Sequence, residues 1–247
     1  MTGPGRWPRH ALITGASRGL GLELSTLLAQ AGTRLIVTAR GDTALTAAAQ
    51  KLRQHGADVT AVAGDVADEQ HHADLAQVAG DRLDLLVHNA SSLGPSPLPR
   101  LVDVDTDTLA GVWRTNVAGP LALTRTLLPA LTAGRGLLVH VGSDAAHGGW
   151  PGWGVYGASK AAIELAARTL AAEVPELVPV VVDPGDLRTD MHQAAFPGQD
   201  ISDRPLPEAT RPFWHWLLAQ EDDAIRGRRF EAQGAVWSTG EAAGSTS

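Results

Sequence analysis

Short apolar runs alternate along this 247-residue chain with stretches in which leucine and alanine recur every three or four positions. Residues 11–14 read as a buried strand, and Leu20, Leu24, Leu27 and Leu28 follow at helix spacing. A second strand fits 35–38, after which Asp42 is placed to cap a helix carrying Leu45, Ala48, Ala49 and Leu52. A third strand at 59–63 leads to a polar helix over 68–79, and a fourth strand spans 83–88. A Pro/Ser loop covers 91–100, and two separate helices fit 105–115 and 117–133. A fifth strand at 137–141, an alanine-rich helix at 154–173, a sixth strand at 178–182, a helix at 207–220 and a last strand at 229–232 complete the series. Strands alternating with helices predict an α/β fold, a parallel sheet of about seven strands covered on both faces, in a single domain. The continuous Leu/Ile/Val runs fit strands buried on both sides. The ordered core is expected over about 9–235, with residues 1 to about 8 and the Gly/Ala/Ser/Thr-rich tail from Gly234 frayed. Of Trp214 and Trp216 in the late helix, one is expected to face the core and the other an interface.

Composition narrows the function classes. The hydrophobic share of 44% supports a real core, and a net charge of −7 without any basic run argues against nucleic acid as a partner. No apolar stretch approaches the roughly 20 residues that span a bilayer. The first ten residues carry no signal-like apolar region, so a cytoplasmic location without membrane association is expected. The chain has no cysteine, which excludes disulfides, thiol catalysis and cysteine-based zinc sites. No histidine pair has metal-ligand spacing beside a carboxylate, so no metal is expected; His10, His140 and His147 read as structural or surface residues.

Strand one runs into Gly15, Ala16, Ser17, Arg18, Gly19, Leu20 and Gly21, a G-x-x-x-G-x-G turn ahead of a strong helix. Bare glycines there allow a tight turn and let a pyrophosphate approach backbone N–H groups at the helix N-terminus, as in a Rossmann-type doubly wound sheet. The end of strand two selects between dinucleotides. A carboxylate there would hold the 2′-hydroxyl of NAD, but the chain reads Thr38, Ala39, Arg40. Arg18 and Arg40 together suit a 2′-phosphate, because guanidinium bonds phosphate as a fork. NADP(H) is therefore the expected cofactor, with NAD(H) possible if Asp42 bends back to the acidic position.

The single tyrosine of the chain, Tyr156, stands four residues before Lys160. On a helix the two share a face. A free phenol has a pKa of about 10, and a nearby ammonium favours its phenolate. A tyrosine tuned in this way can exchange a proton with a carbonyl or an alcohol.

The glycine turn and the Tyr156/Lys160 pair together resemble the short-chain dehydrogenase/reductase family, and further pieces follow in that family's order over about residues 9–235. Asp65 and Val66 after strand three stand where the family places an adenine contact, although Asp65 also suits a turn. His88, Asn89, Ala90 and Ser91 resemble the family's Asn-Asn-Ala-Gly. Asn116 matches its catalytic asparagine, Ser143 its catalytic serine, and Pro184, Gly185 and Thr189 its cofactor loop, although Asn116 also suits helix packing, Ser143 the end of a strand and Thr189 the cap of a short helix. The resemblance implies that Tyr156 gives or takes the proton at the substrate oxygen. Lys160 lowers the Tyr156 pKa and holds ribose hydroxyls, Ser143 bonds the substrate oxygen, and Asn116 holds a water that relays to Lys160. Two positions depart from the pattern. His88 is expected to hydrogen-bond between neighbouring strands, and Ser91 adds a side chain beside the ribose.

In this family the segments after Ser143 and after Gly185 line the substrate site. Trp150, Trp153, Met191 and Phe196 there suit a bulky, apolar or aromatic substrate, although the aromatics would equally pack a lid or a subunit contact, with 191–205 a candidate lid. The small face of Ala161, Ala162, Ala166, Ala167 and Ala171 suits the helix pairing that gives the family homodimers and homotetramers. The expected activity is NADP(H)-dependent reduction of a ketone. The alternatives are oxidation of a polyol, sugar or hydroxysteroid, and a nucleotide-binding regulatory protein without catalysis.

Overall fold

In the computed structural model, which describes residues 7–234 and Trp237, seven strands form one parallel sheet in the order β3-β2-β1-β4-β5-β6-β7. β1 is His10–Thr14, β2 Arg34–Ala39, β3 Val59–Ala63, β4 Leu85–His88, β5 Leu137–Val141, β6 Val178–Asp183 and β7 Arg229–Glu231. The apolar runs divide by parity. Ala11, Ile13, Leu35, Val37, Leu85, Val87, Leu137 and Val139 enter one core layer, while Leu12, Ile36, Leu86 and Leu138 enter the other. Both faces thus need helical cover, and crossover helices supply it. α1 (Gly19–Gln30) and α2 (Asp42–Arg53) pack on the first face; α3 (Glu69–Ala79) packs on the second.

The two helices expected at 105–115 and 117–133 are one continuous run. α4 (Thr106–Trp113) passes through a π turn at Arg114–Ala118 into α5 (Gly119–Gly134). Pro120 lacks the N–H that would bond back to Asn116, and the Gly119 N–H bonds five residues back to Arg114 instead. α6 (Gly154–Glu173) is as expected. Beyond β6, α7 spans Asp190–Ala195, α8 Arg211–Leu217 and α9 Asp222–Ile225.

Several expectations need correction. Asp42 is the first helical residue of α2 and Gly41 its cap, with no side-chain capping bond. Asp68, by contrast, does cap α3, accepting from the Gln70 N–H. Both Trp214 and Trp216 are buried, because α8 turns Phe213, Trp214, Trp216 and Leu217 into the first core layer and gives its outer face to Pro212 and His215. Near the ends, Trp7 packs edge-on against His215, and Trp237 joins Phe213, Trp216 and Phe230 while donating Nε1–H to the Ala232 carbonyl. Aromatic packing thus anchors two residues inside the segments expected to fray; apart from Pro8 and Gly234, the other leader and tail residues lie outside the described part.

Candidate active site

The sheet order reverses between β1 and β4, and the crevice at their carboxyl ends is where open α/β sheets bind ligands. Gly15 turns there at φ +66° and Gly19 at φ +57°, conformations that side chains disfavour. Asn89 ties this turn to the loop after β4: its Nδ2 donates to the carbonyls of Thr14 and Gly15, at 3.0 and 3.1 Å. The backbone N–H groups of Asn89 and Ala90 both donate to Thr14 Oγ1. A Cβ on Gly21 would collide with Asn89 Nδ2, so this glycine serves helix–strand packing and does not line the cleft. No side chain caps α1, leaving its first N–H groups open to an anion.

A cleft of about 500 Å³ runs from this turn across the carboxyl ends of the strands. It takes in Gly15, Ser17, Arg18, Gly19, Leu20, Arg40, Asp65, Val66, Asn89, Ala90, Pro184, Gly185 and Thr189 at the expected cofactor end. Ser143, Tyr156, Lys160, Trp153 and Met191 line the same cleft. Arg40 and Gly41 line it at the end of β2, whereas Asp42 does not. Arg18 is paired with Asp190 Oδ2 at 2.8 Å. Asp65 accepts from the Ala67 N–H, so it shapes a turn as well as lining the cleft, and Thr189 caps α7 by accepting from the His192 N–H.

Besides Gly21, three expected residues stand outside this lining. Trp150 is exposed outside the lining. Phe196 lies behind it, 6.1 Å from Trp153 and 5.0 Å from His192 between ring centroids. Asn116 is 3% exposed and sits under the cleft with both side-chain atoms engaged. Its Oδ1 accepts from the Ser92 N–H and Ser91 Oγ, and its Nδ2 donates to the Ser92 carbonyl and Ser159 Oγ. The π turn delivers this side chain, which fastens the loop after β4 to α6 between Tyr156 and Lys160.

Burial pushes the Tyr156 phenol up, above its usual value. The Ser143 and Ser91 hydroxyls act against that rise. The expectation that Lys160 lowers the Tyr156 pKa is thus not met in the protein alone. The ammonium lies 5.4 Å from the phenol ring centroid and donates to the Val141 carbonyl at 2.7 Å. Burial lowers Lys160 itself to about 8, with Glu164 and then Asp183 opposing. The part played by Ser91 was not read from the sequence, where it stood only as a departure from the family's glycine. His88 bonds Thr124 of α5, at 2.8 Å, rather than a neighbouring strand, and its ring stacks on His140 of β5 at 4.8 Å.

A family model described as short chain dehydrogenase matches residues 9–200. The chain is 38% identical over 192 residues to 1-deoxy-11-beta-hydroxypentalenate dehydrogenase of Streptomyces avermitilis, covering 74% of this chain and 70% of that protein. It is 34% identical over 200 residues to sepiapterin reductase of Meriones unguiculatus, covering 74% and 76%. Among solved structures, a short-chain dehydrogenase of Shigella flexneri 2a complexed with NADP matches at a TM-score of 0.84 and 31% identity, over 91% of this chain and 97% of that one.

Proposed function

The chain belongs to the short-chain dehydrogenase family of oxidoreductases, and we propose that within it this protein is an NADP(H)-dependent reductase of a bulky ketone. One observation carries the reading: a single cleft joins Arg40 and the glycine turn at one end to Ser143, Tyr156 and Lys160 at the other. The cradle suits a dinucleotide phosphate. Its turn has no room for a Cβ at Gly15, its helix is uncapped, and a guanidinium stands at the end of β2 with no carboxylate in the lining there.

The bound nicotinamide supplies the hydride; the rest of the chemistry falls to the protein. Tyr156, kept protonated by burial, donates its phenolic proton to the ketone oxygen. Ser143 hydrogen-bonds the same oxygen as negative charge develops on it. Lys160, four residues along α6, offsets the phenolate left behind. Asn116 holds the loop after β4 against α6 and keeps the phenol facing the cleft. Trp153, edge-on to Tyr156 at 5.7 Å, and Met191 give the substrate end its apolar wall. A large alicyclic or aromatic ketone fits that wall.

The test is consumption of NADPH and, separately, NADH by the purified protein with a panel of ketones, alongside Tyr156→Phe. The reading expects turnover with NADPH and its loss by about a hundredfold or more in Tyr156→Phe, with cofactor binding intact. Turnover surviving in the variant would end the proton-transfer assignment, and tighter binding of NADH would end the cofactor assignment.

A further inference from the structure

Behind the group assigned to catalysis lies a set of charges that the proposed proton transfer does not use. Glu164 stands one helical turn past Lys160 on the same face of α6 and is 1% exposed. Its Oε2 lies 2.9 Å from His147 Nε2, on the segment that follows Ser143. Its Oε1 lies 3.5 Å from Arg229 Nε on β7, and among the described residues neither of these two atoms has a hydrogen-bond partner. Arg229 donates to Asp183 Oδ2 at 2.7 Å, and Asp183 Oδ1 accepts from the Gly185 N–H at the cofactor loop. Room for the Glu164 carboxylate exists only because residue 142 is glycine: a Cβ there would stand 2.8 Å from Oε1.

A buried carboxylate normally has its lone pairs filled, and leaving one atom bare is costly. The arrangement makes sense as a balance of charge rather than a set of hydrogen bonds. The buried ammonium of Lys160 and the partly buried guanidinium of Arg229 face two buried anions, Glu164 and Asp183, and Arg229 also pairs with the exposed Glu231 at 2.8 Å. Among the described residues the acceptor of Lys160 Nζ is the neutral Val141 carbonyl, so its ammonium needs an anion near by.

We propose that Glu164, together with Asp183, is a positioning residue for the proton transfer: its carboxylate is the buried counter-charge that keeps Lys160 an ammonium, and the His147 and Arg229 contacts hold it in place. The other groups around Lys160 do not do this. On α6 itself the phenol of Tyr156 is neutral, and on β5 His140 is held neutral by burial, at about 3. Arg229 on β7 has the wrong sign and meets three carboxylates, Glu164, Asp183 and Glu231; Asp144 heads the turn after Ser143, and His147 touches Glu164 rather than the lysine. Burial lowers Lys160 to about 8, and Glu164 and Asp183, in that order, raise it. Without Glu164 the lysine would lose its charge near neutrality, and with it the support it gives the phenolate.

This inference rests on the reading of Lys160 as the charge beside the phenol, so its test is chosen to be independent of turnover. The chain has two lysines, Lys51 and Lys160, so ¹³Cε-lysine labelling gives two resonances and Lys51 is an exposed internal control. Lys160 is expected to titrate near 8 in the wild type. In Glu164→Gln its midpoint is expected to fall by about one pH unit, in Asp183→Asn by a smaller amount, and Glu164→Asp should restore part of the fall. Lys51 should stay where it is. An unchanged Lys160 midpoint in folded Glu164→Gln would overturn the proposal; if that variant does not fold, an unchanged midpoint in Asp183→Asn would overturn it equally. Loss of turnover with an unshifted midpoint would assign Glu164 a purely structural role.

Discussion

Arg18 in the glycine turn and Asp190 at the head of α7 form an ion pair at 2.8 Å across the mouth of the cleft, although 172 positions separate them in sequence. Both side chains are largely exposed, at 72% and 70%, so water screens the pair and it is worth at most about 1 kcal/mol. Asp190 therefore competes with a cofactor phosphate for Arg18. Asp190→Asn is expected to tighten NADPH binding by about two- to fivefold. Calorimetric titration checks this, and an unchanged affinity would mean that Arg18 does not reach the phosphate.

Arg40 has no ion pair among the described residues and lines the cleft where β2 ends. A hydrogen bond to a charged group contributes about 1.5–3 kcal/mol, so Arg40→Ala should weaken NADPH by about tenfold or more while leaving NADH within about twofold. Arg40→Asp should go further and favour NADH. Equal losses for both cofactors would show that Arg40 serves the turn and not the 2′-phosphate.

Acid stability should depend on the stacked histidines. Burial holds His140 at about 3 and puts His88 well below its usual value. The unfolded chain takes up these protons as pH falls through about 6.5, while the folded protein does not until much lower. Stability from His140 is therefore complete above about pH 6.5 and is lost as pH falls towards 3. His140 thereby costs about 1.4 kcal/mol per pH unit in that window. His140→Asn should flatten the dependence by about one proton between about pH 6 and about pH 4, measured by urea unfolding. An unaltered slope would assign the acid sensitivity elsewhere.

Leu109 and Trp113 on α4 and Leu165 on α6 are exposed apolar residues on two helices that contact each other. The homodimer or homotetramer implied by the family would cover them. Leu165→Asp is expected to lower the mass seen by light scattering to that of a monomer, with the circular dichroism spectrum retained. A wild-type protein that is monomeric would remove this interface from consideration.

The series of elements was legible in the sequence because a strand covered on both faces must be apolar at every position, and a helix covered on one must be apolar every third or fourth. Strands β3 and β5 and helix α6 fall at the residues the pattern predicts. The glycine turn, the absence of a carboxylate after β2 and the Tyr156/Lys160 spacing were legible for a similar reason: each depends on neighbours within one turn or one helix. What lay across the chain was not. No local pattern says that Pro120 opens a π turn that buries Asn116, that Arg18 meets Asp190, or that Trp150 misses the cleft while Trp153 lines it. Nor could the spacing of Tyr156 and Lys160 give the protonation of either. It sets their face of the helix, but the removal of water by the packed sheet raises one pKa and lowers the other. Desolvation and long-range charge depend on everything that surrounds a group, and only the folded chain assembles those surroundings.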